Sequence, residues 1–275
     1  MNVLIAGCGD VGSVLATALL TDGHRVYGLK RNVSTLPAGV HPIQADLTDP
    51  GTLRDLPGNI DVLVFMPTPA SRDKAGYESI FIAGWKNVWA ALKSKPARSL
   101  VVSSTAVYGE SGGATVNEET PPEPSGFNGK VLLEMEHVVA SSTDAAVIAR
   151  ISGIYGPGRE RLIRLAASGG LEVQKDPPQY TNRIHRDDAA AALKHLIEIE
   201  QPDSLYVVTD DVPAPRYDVV EWLAEQQGRP GPVAVNSSKP ALGKRVDNRK
   251  LRSSGFELMY PDYRAGYGSV LQMKK

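Results

Sequence analysis

Residues 3–12 read VLIAGCGDVG, and their pattern indicates how the chain begins to fold. A short β-branched run, VLIA, leads directly into the glycine-rich turn GCGDVG. Apolar residues then recur near the 3.6-residue helical period, at Val11, Leu15 and Leu19. The pattern therefore predicts a strand, a tight turn and a helix at the start of the chain.

The same alternation continues through the first half of the chain. Further β-branched runs lie at residues 25–29, 62–66, 99–104 and 145–151. Amphipathic helical stretches separate them, such as the one with apolar positions between residues 80 and 92. Because parallel strands need long crossover connections, this alternation predicts an α/β fold, a Rossmann-type doubly wound parallel sheet.

The regularity degrades after about residue 157, where stretches rich in glycine and proline follow. We therefore predict a Rossmann domain over residues 1–157 and a smaller C-terminal substrate lobe over residues 158–275. The helix that starts near Asp187 and the strand at residues 204–209 are expected to return in part to the main sheet.

Composition narrows the class of partner. The 275-residue chain has 30 basic and 31 acidic residues and a formal net charge of −1, so no strong field attracts nucleic acid or an anionic membrane. No apolar run approaches the roughly 20 residues of a membrane span. One cysteine, and no signal-like apolar core after Met1, predict a cytoplasmic protein with a small-molecule partner. The histidines and the cysteine do not fall at metal-ligand spacing, so no metal is expected.

The glycine turn has the spacing G-x-G-x-x-G. Such glycines permit a tight turn, let backbone amides approach a pyrophosphate and direct a helix N-terminus at its charge. The alternative is a tight connection that binds nothing. The position after the first strand favours a dinucleotide site, and the predicted cofactor-binding residues of the turn are Gly7, Gly9, Asp10, Val11 and Gly12.

The end of the second predicted strand indicates which dinucleotide is bound. A carboxylate there would suit the ribose 2′-hydroxyl of NAD, but the chain places Lys30 and Arg31 at this point. Two cations suit a 2′-phosphate, so NADP is predicted and NAD remains possible. The alternative is that both side chains are simply solvated.

Four further stretches occur in the order typical of one family. They are ADLTD at residues 45–49, VVSSTAVYGE at 101–110, RISGIYGPGR at 150–159 and IHRDDAAAAL at 184–193. Together they resemble the extended short-chain dehydrogenase/reductase family, the NAD(P)-dependent epimerases and dehydratases. The resemblance covers the cofactor half of the chain well and the remainder more loosely.

The resemblance implies a role for particular residues. Asp46 and Leu47 match the pair beside the adenine, and Thr68 matches a residue beside the nicotinamide ribose and central phosphates. Ser104 matches the catalytic serine or threonine of the family. Lys130 matches the lysine that binds the nicotinamide ribose and lowers the pKa of a catalytic tyrosine.

That tyrosine should lie four residues before Lys130, where the chain has Gly126. No tyrosine in the sequence is followed four residues later by a lysine. The chain thus resembles atypical family members, which keep the cofactor fold and depart from its active-site pattern. Tyr155, in the loop predicted after the strand at residues 145–151, is the first candidate for a substitute acid, and Tyr108 and Tyr180 follow.

Two functions are compatible with this pattern. The first is an NAD(P)-dependent oxidoreductase or epimerase/dehydratase-like enzyme acting on a small sugar-like or nucleotide-sugar substrate. The second is a non-catalytic NAD(P)-binding sensor or scaffold protein.

A homodimer is possible through the apolar stripe that contains Ile82, Trp85 and Trp89, which would otherwise be core. Arg245 and Arg249 are expected either to bind a substrate phosphate or to be solvated.

Overall fold

The computed structural model describes residues 1–109, 112–237 and 242–273. Its strands are β1 (Asn2–Ala6), β2 (Arg25–Lys30), β3 (His41–Gln44), β4 (Val62–Phe65), β5 (Arg98–Ser104), β6 (Thr115–Val116), β7 (Ala146–Ile151), β8 (Gly153–Tyr155), β9 (Glu172–Asp176), β10 (Tyr180–Thr181), β11 (Arg183–His185), β12 (Leu205–Val208), β13 (Ala214–Pro215), β14 (Val233–Asn236) and β15 (Arg245–Val246). Its α-helices are α1 (Asp10–Thr21), α2 (Lys74–Tyr77), α3 (Gly84–Ala91), α4 (Phe127–Ser142), α5 (Arg161–Ala167), α6 (Arg186–Glu198), α7 (Arg216–Gln226), α8 (Arg249–Ser253) and α9 (Tyr263–Gln272). A π-helical segment, Glu78–Ala83, joins α2 to α3.

Seven strands form the main sheet, in the order β12-β7-β5-β4-β1-β2-β3. β1 pairs in parallel with β2 and β4, β2 pairs with β3, and β4 pairs with β5. β4 is buried along its whole length and β1 at all but its first residue, which is typical of a parallel sheet covered on both faces. The predicted Rossmann-type doubly wound fold is confirmed.

The strand predictions agree with the structure to within one residue at each end for the five β-branched runs of the first half. β3 was not predicted. Its sequence, HPIQ, is polar and mostly exposed, so it carries no apolar run that a sequence pattern detects. Sheet pairing with β2 alone defines it.

The chain divides into two compact units, each built from several segments. The first unit comprises Met1–Val107, Pro122–Arg150 and Ala190–Tyr206. The second comprises Tyr108–Pro121, Ile151–Ala189 and Val207–Lys275. The sequence-based division at residue 157 stays a prediction.

Aromatic packing anchors the core of the first unit. Trp85 is completely buried, meets Phe65 edge to face at 5.5 Å between ring centroids and stacks on Trp89 at 5.3 Å. Trp85 therefore belongs to the core, whereas Ile82 and Trp89 are half-buried. A dimer through this stripe stays a prediction.

The second unit has its own core. Helices α5, α7 and α9 and strand β9 contribute buried residues to one cluster, including Ile163, Val173, Leu223 and Tyr263.

No helix within the described ranges combines the length and the apolar character needed to cross a membrane.

Helix α4 corrects one local prediction. The sequence GFNG at residues 126–129 suggests a flexible, poorly helical entry, with the helix proper over residues 131–140. The helix instead begins at Phe127, with Gly126 as its extended N-cap. Packing of Gly129 against neighbouring backbone overrides the weak helix propensity of glycine, because a larger residue would not fit there.

Candidate functional site

The glycine turn after β1 is shaped by close backbone approach. Gly7 has a φ of +90°, and a Cβ on it would lie 2.6 Å from Cα of Pro67. Both facts require glycine at this position. Gly12 serves helix–strand packing, since its Cβ would lie 3.4 Å from side-chain atoms of Ile5 and Met66.

Helix α1 directs its N-terminus at this turn. Gly9 is the N-cap and supplies no side-chain cap, so the first amides of the helix receive no side-chain hydrogen bond from it. Ser13 donates from its hydroxyl to the Gly9 carbonyl at 2.7 Å, which fixes the turn. A helix N-terminus without a side-chain cap suits an anionic group.

The turn lies where the strand order reverses. β1 is flanked by β4 on one side and β2 on the other, and the chain departs in opposite directions from this point of the sheet. Ligands of open α/β sheets bind beside the carboxyl ends of the strands at such a switch point.

A cavity of about 410 Å³ occupies this position within the first unit. It is lined by residues from the carboxyl ends of four neighbouring strands. Those that the sequence assigned to the cofactor are Gly7, Gly9, Lys30, Arg31, Asp46, Leu47 and Thr68. The structure thus brings together four separate segments whose proximity was only implied by the sequence.

The other predicted residues of the turn lie beside this cavity in sequence. Asp10 and Val11 form the first turn of α1, with Asp10 exposed and Val11 buried. Among the described residues, these two, Gly12 and Lys130 do not line the cavity. Their cofactor contacts stay predictions.

Lys30, Arg31 and Asp46 line the part of the cavity that the sequence assigns to the adenosine half of the dinucleotide. Lys30 donates from Nζ to the Thr35 hydroxyl at 2.8 Å, and Arg31 is exposed. The Asp46 carboxylate accepts hydrogen bonds from the amide and hydroxyl of Thr48 at 2.9 and 2.8 Å. These two bonds are the main reason why the pKa of Asp46 lies below its usual value. The carboxylate is therefore held ionised and directed into its own loop.

Ser104 ends β5 and is half-buried. Its hydroxyl accepts a hydrogen bond from the Ala106 amide at 3.2 Å, the local capping that a strand-end serine provides. Lys130 lies in the first turn of α4, is exposed, and has no side-chain hydrogen bond or ion pair within the described part of the chain. Their catalytic roles stay predictions.

A buried ion pair ties α4 to the sheet beside these residues. Glu136 of α4 accepts hydrogen bonds from Arg150 of β7, with Arg150 Nη2 at 2.6 Å and Nε at 3.1 and 3.2 Å from its carboxylate oxygens. Glu136 also accepts from the hydroxyl of Ser103 in β5. Sequence reasoning missed this cluster. The sequence does carry a signal for it. Glu136 is a charged residue on the face of α4 that otherwise carries Leu132, Met135 and Val139, and Arg150 is the one charged residue in the apolar run of β7.

Gly126 stands where the resemblance places a tyrosine. Its φ of −93° and ψ of 157° are extended, a conformation that any residue adopts. A Cβ there meets only the side chain of Asn128, whose amide oxygen would lie 2.6 Å away and can rotate. The backbone therefore does not require glycine at this position.

Tyr155 belongs to the second unit and ends the short strand β8, where the sequence predicted a loop. It is buried, with its ring 4.1 Å from that of Tyr267 and 5.5 Å from that of His185 between centroids. Burial raises the pKa of its hydroxyl far above the usual value, which weakens it as an acid. Its catalytic role stays a prediction.

The remaining candidates make other contacts, and their proton-donating or phosphate-binding roles stay predictions. Tyr108 is buried, and its carbonyl accepts from Lys244 Nζ at 2.8 Å. The guanidinium of Arg245 lies 5.3 Å from the ring centroid of Tyr180. Arg249 is exposed and pairs with Asp247 at 2.6 Å.

Cys8, the single cysteine of the sequence, lies in the glycine turn. Its side chain is completely buried, and burial raises the pKa of the thiol to about 11. A thiol in that state is a small packing group.

The protein has the features of a Rossmann-type dinucleotide-binding protein. These are the order of strands in the sheet, the glycine turn at the switch point and the cavity beside that turn. The sequence profile of the NAD-dependent epimerase/dehydratase family matches residues 3–208. The chain belongs to that family, and membership indicates an NAD-dependent enzyme.

Two curated relatives cover nearly the whole chain. Protein YeeZ of Escherichia coli K12 is 30% identical over 274 residues, which cover 95% of this chain and 97% of that protein. The 3-diazoavenalumate denitrifying reductase of a Streptomyces species is 30% identical and covers 98% of this chain and 99% of that protein.

Solved structures agree with the fold. A structure assigned to the NAD-dependent epimerases/dehydratases, from Methylobacillus flagellatus, is 38% identical with a TM-score of 0.84 and covers 100% of this chain and 99% of its own. The complex of MoeE5 with UDP-glucose and NAD is 23% identical with a TM-score of 0.82 and covers 100% and 98%. At that identity the second likeness shows the fold alone.

Proposed function

We propose that the protein is an NADP-dependent oxidoreductase or epimerase/dehydratase-like enzyme acting on a small sugar-like or nucleotide-sugar substrate. The observation that carries the proposal is the 410 Å³ cavity of the first unit, because one cavity is lined by the glycine turn, two cations and two further family segments. The glycine turn lines this cavity next to the N-terminus of α1, an arrangement that fits a dinucleotide pyrophosphate.

The preference for NADP rests on Lys30 and Arg31. Both line the cavity, and arginine binds phosphate in a bidentate geometry that lysine complements as a point charge. The Asp46 carboxylate accepts both Thr48 hydrogen bonds at Oδ1, and it follows β3 instead of the end of β2, where a carboxylate that binds the ribose 2′-hydroxyl is expected. Both features favour a 2′-phosphate over a free 2′-hydroxyl.

When bound, a nicotinamide dinucleotide supplies or accepts a hydride. The residues assigned to the substrate side have limited acid–base capacity. The Ser104 hydroxyl can orient a carbonyl or a water, and the Lys130 ammonium can hold a ribose and stabilise negative charge. Gly126 has no proton to give. General acid–base assistance is typically worth about 10² to 10⁴ in rate, so its loss slows carbonyl chemistry without forbidding it.

This deficiency favours substrates that make a small demand on an acid. A carbonyl oxygen must gain a proton as it is reduced, whereas a cationic acceptor such as an iminium takes up hydride and becomes neutral without one. The name of the Streptomyces relative describes a reductase acting on a diazo compound, which supports a search beyond carbonyl substrates.

A non-catalytic sensor or scaffold is the second candidate, and Gly126 is the observation that favours it. Both candidates require dinucleotide binding, so binding alone does not separate them. Turnover separates them, because a sensor binds the dinucleotide and oxidises none of it.

The test is a cofactor-oxidation screen with NADPH over carbonyl and iminium compounds, run on the wild type, Ser104→Ala and Lys130→Ala. Lys93→Ala serves as a control, since Lys93 is exposed and lies outside the cavity. The proposal expects turnover that falls at least tenfold in both site variants and not in the control. Turnover that is unchanged in both site variants contradicts the assigned site. NADPH binding without any turnover supports the sensor.

A further inference from the structure

Phe127, the first residue of α4, carries an exposed aromatic ring. Its side chain is 40% exposed, whereas every other phenylalanine, tyrosine and tryptophan within the described ranges is buried or half-buried. Single exposed apolar residues are common on protein surfaces, so exposure alone gives this ring no role. The contacts of the ring and its position in the first unit distinguish it from such residues.

A row of three rings holds the side chain of Phe127 in place. Phe81 is buried, and its ring centroid lies 5.3 Å from that of Tyr77. The Tyr77 ring meets the Phe127 ring edge to face, with 5.5 Å between centroids and an interplanar angle of 83°. Edge-to-face contacts at such distances are favourable. The exposed ring is therefore anchored to the core, and a ligand that stacks on it does not have to order it first.

Tyr77 connects this row of rings to the wall of the dinucleotide cavity. It is the last residue of α2. In sequence it lies between Gly76 and Ser79, which both line that cavity. The row therefore leads from the wall of the cavity to the start of α4, and all of it belongs to the first unit.

The residues assigned to the reaction lie around the same turn of α4. Lys130 follows Phe127 by three residues, and residues three apart are neighbours on the surface of a helix. Gly129 packs against the carbonyl of Ala106, whose amide donates to the Ser104 hydroxyl at 3.2 Å. The first turn of α4 thus carries an accessible ring next to the ammonium of Lys130, and it is docked on the turn that begins at Ser104.

We propose that Phe127 is the residue on which the ring of the substrate stacks, and that Tyr77 is a positioning residue that fixes the Phe127 ring. The ligand is a molecule with a six-membered ring that has an apolar face, either a pyranose or an aromatic ring. The inference rests on the proposed function and narrows its substrates to ring-bearing molecules. Stacking acts through dispersion and the burial of apolar surface, so it requires neither a proton nor a charge from the protein.

The test is a saturation-transfer NMR titration of the full chain in the presence of NADP⁺. Two pairs of probes are compared, benzyl alcohol with the open-chain 1-pentanol, and methyl β-D-glucopyranoside with the open-chain sorbitol. The variants are Phe127→Ala, Phe127→Leu, Tyr77→Ala and Tyr77→Phe. Met259→Ala is the control, because it removes an apolar side chain that is 67% exposed and belongs to the second unit. Melting curves establish which variants fold.

At least one ring probe should bind the wild type fivefold or more tightly than its open-chain counterpart. Phe127→Ala, Phe127→Leu and Tyr77→Ala should each weaken that binding roughly fivefold or more. Tyr77→Phe, which keeps the ring, and the control should stay within twofold of the wild type. The ring probe that binds more tightly identifies the substrate ring as a pyranose or as an aromatic ring.

Equal affinity for ring and open-chain probes, no binding of either ring probe, or unchanged binding in Phe127→Leu overturns the proposal. Weakened binding in Tyr77→Phe overturns the positioning role of Tyr77. Phe127→Leu decides the matter if Tyr77→Ala fails to fold, because the Phe127 side chain is exposed.

NADPH turnover, measured on the same samples, separates this inference from the proposed function. Ring binding that depends on Phe127 in a protein without turnover would reject the proposed enzyme and leave the ring site standing. Turnover that depends on Ser104 and Lys130, in a protein that binds neither ring probe, would reject this inference alone.

Discussion

Gly129 of α4 packs directly against the carbonyl of Ala106. A Cβ on residue 129 would overlap that oxygen and would lie 2.8 Å from Cβ of Pro124. The first turn of the helix, which carries Lys130, is thereby docked on the turn that follows Ser104. Two residues assigned to the same site thus owe their relative position to a glycine that the resemblance did not mark.

The first prediction concerns this contact. Gly129→Ala should lower the free energy of unfolding by about 1–3 kcal/mol, because a backbone carbonyl cannot move aside as a flexible side chain would. Urea unfolding measures it. Gly126→Ala is the matched control and should stay within about 0.5 kcal/mol of the wild type, since only the Asn128 side chain must rotate. Equal stability of the two variants would contradict the packing argument.

The second prediction restores the missing phenol. Gly126→Tyr should fold, because residue 126 is extended and a Cβ there meets only the rotatable side chain of Asn128. It should raise kcat/KM for carbonyl reduction by about 10² to 10⁴, the usual worth of acid catalysis. Gly126→Phe is the control, with the same ring and no hydroxyl. A gain of equal size in both variants would assign the effect to packing instead of proton donation.

The third prediction tests the choice of dinucleotide. Lys30→Ala and Arg31→Ala should each weaken NADPH binding by roughly tenfold to a hundredfold, since a hydrogen bond to a charged group is worth about 1.5–3 kcal/mol. NADH binding should change much less. Titration of both dinucleotides measures the difference, with Lys93→Ala as the control for a lost surface charge. A uniform loss for both dinucleotides would deny the two cations a role in discrimination.

The fourth prediction concerns the buried ion pair. Glu136→Ala should destabilise the protein by about 3–5 kcal/mol, because it leaves the Arg150 guanidinium buried and unpaired. Glu134→Ala is the control on the exposed face of the same helix and should change stability by less than about 0.5 kcal/mol. Thermal and urea unfolding measure both. Comparable stability of the two variants would show that Arg150 finds another partner.

The fifth prediction is a pH dependence. Burial raises the pKa of Asp210 from its ordinary value of 3.8 to about 8. The folded state then binds a proton that the unfolded state releases, so this carboxyl contributes stability that is fully present below pH 4 and is lost as the pH rises through about 8. Asp210→Asn should remove that loss, and the Tm difference between variant and wild type should grow from pH 5 to pH 9. A difference that is constant across this range would refute the raised pKa.

The first half of the fold follows from the sequence because parallel strands buried on both faces must be apolar along their length. That requirement made β1, β4 and β5 visible as β-branched runs. β3 escaped because it is polar and mostly exposed and is defined only by its pairing with β2. The hydrophobic pattern of a segment indicates whether the segment is buried, but it does not indicate which strand the segment pairs with.

A site residue could be predicted from the sequence where the local backbone allows only one residue type. Gly7 has a positive φ and a close backbone neighbour, and the glycine spacing signalled both. The start of α4 was not predictable, because glycine-rich residues disfavour a helix locally and only tertiary packing of Gly129 reverses that preference. Arginines from separate segments also line one cavity of the second unit, and their convergence depends on the folded chain.

Calorimetric titration of the wild type with NADPH, NADH and adenosine 2′,5′-bisphosphate decides whether the first unit holds a phosphorylated dinucleotide. We expect one NADPH per chain, bound at least tenfold more tightly than NADH, with the bisphosphate competing for the same site. Absence of binding by either dinucleotide, or tighter binding of NADH, would contradict it.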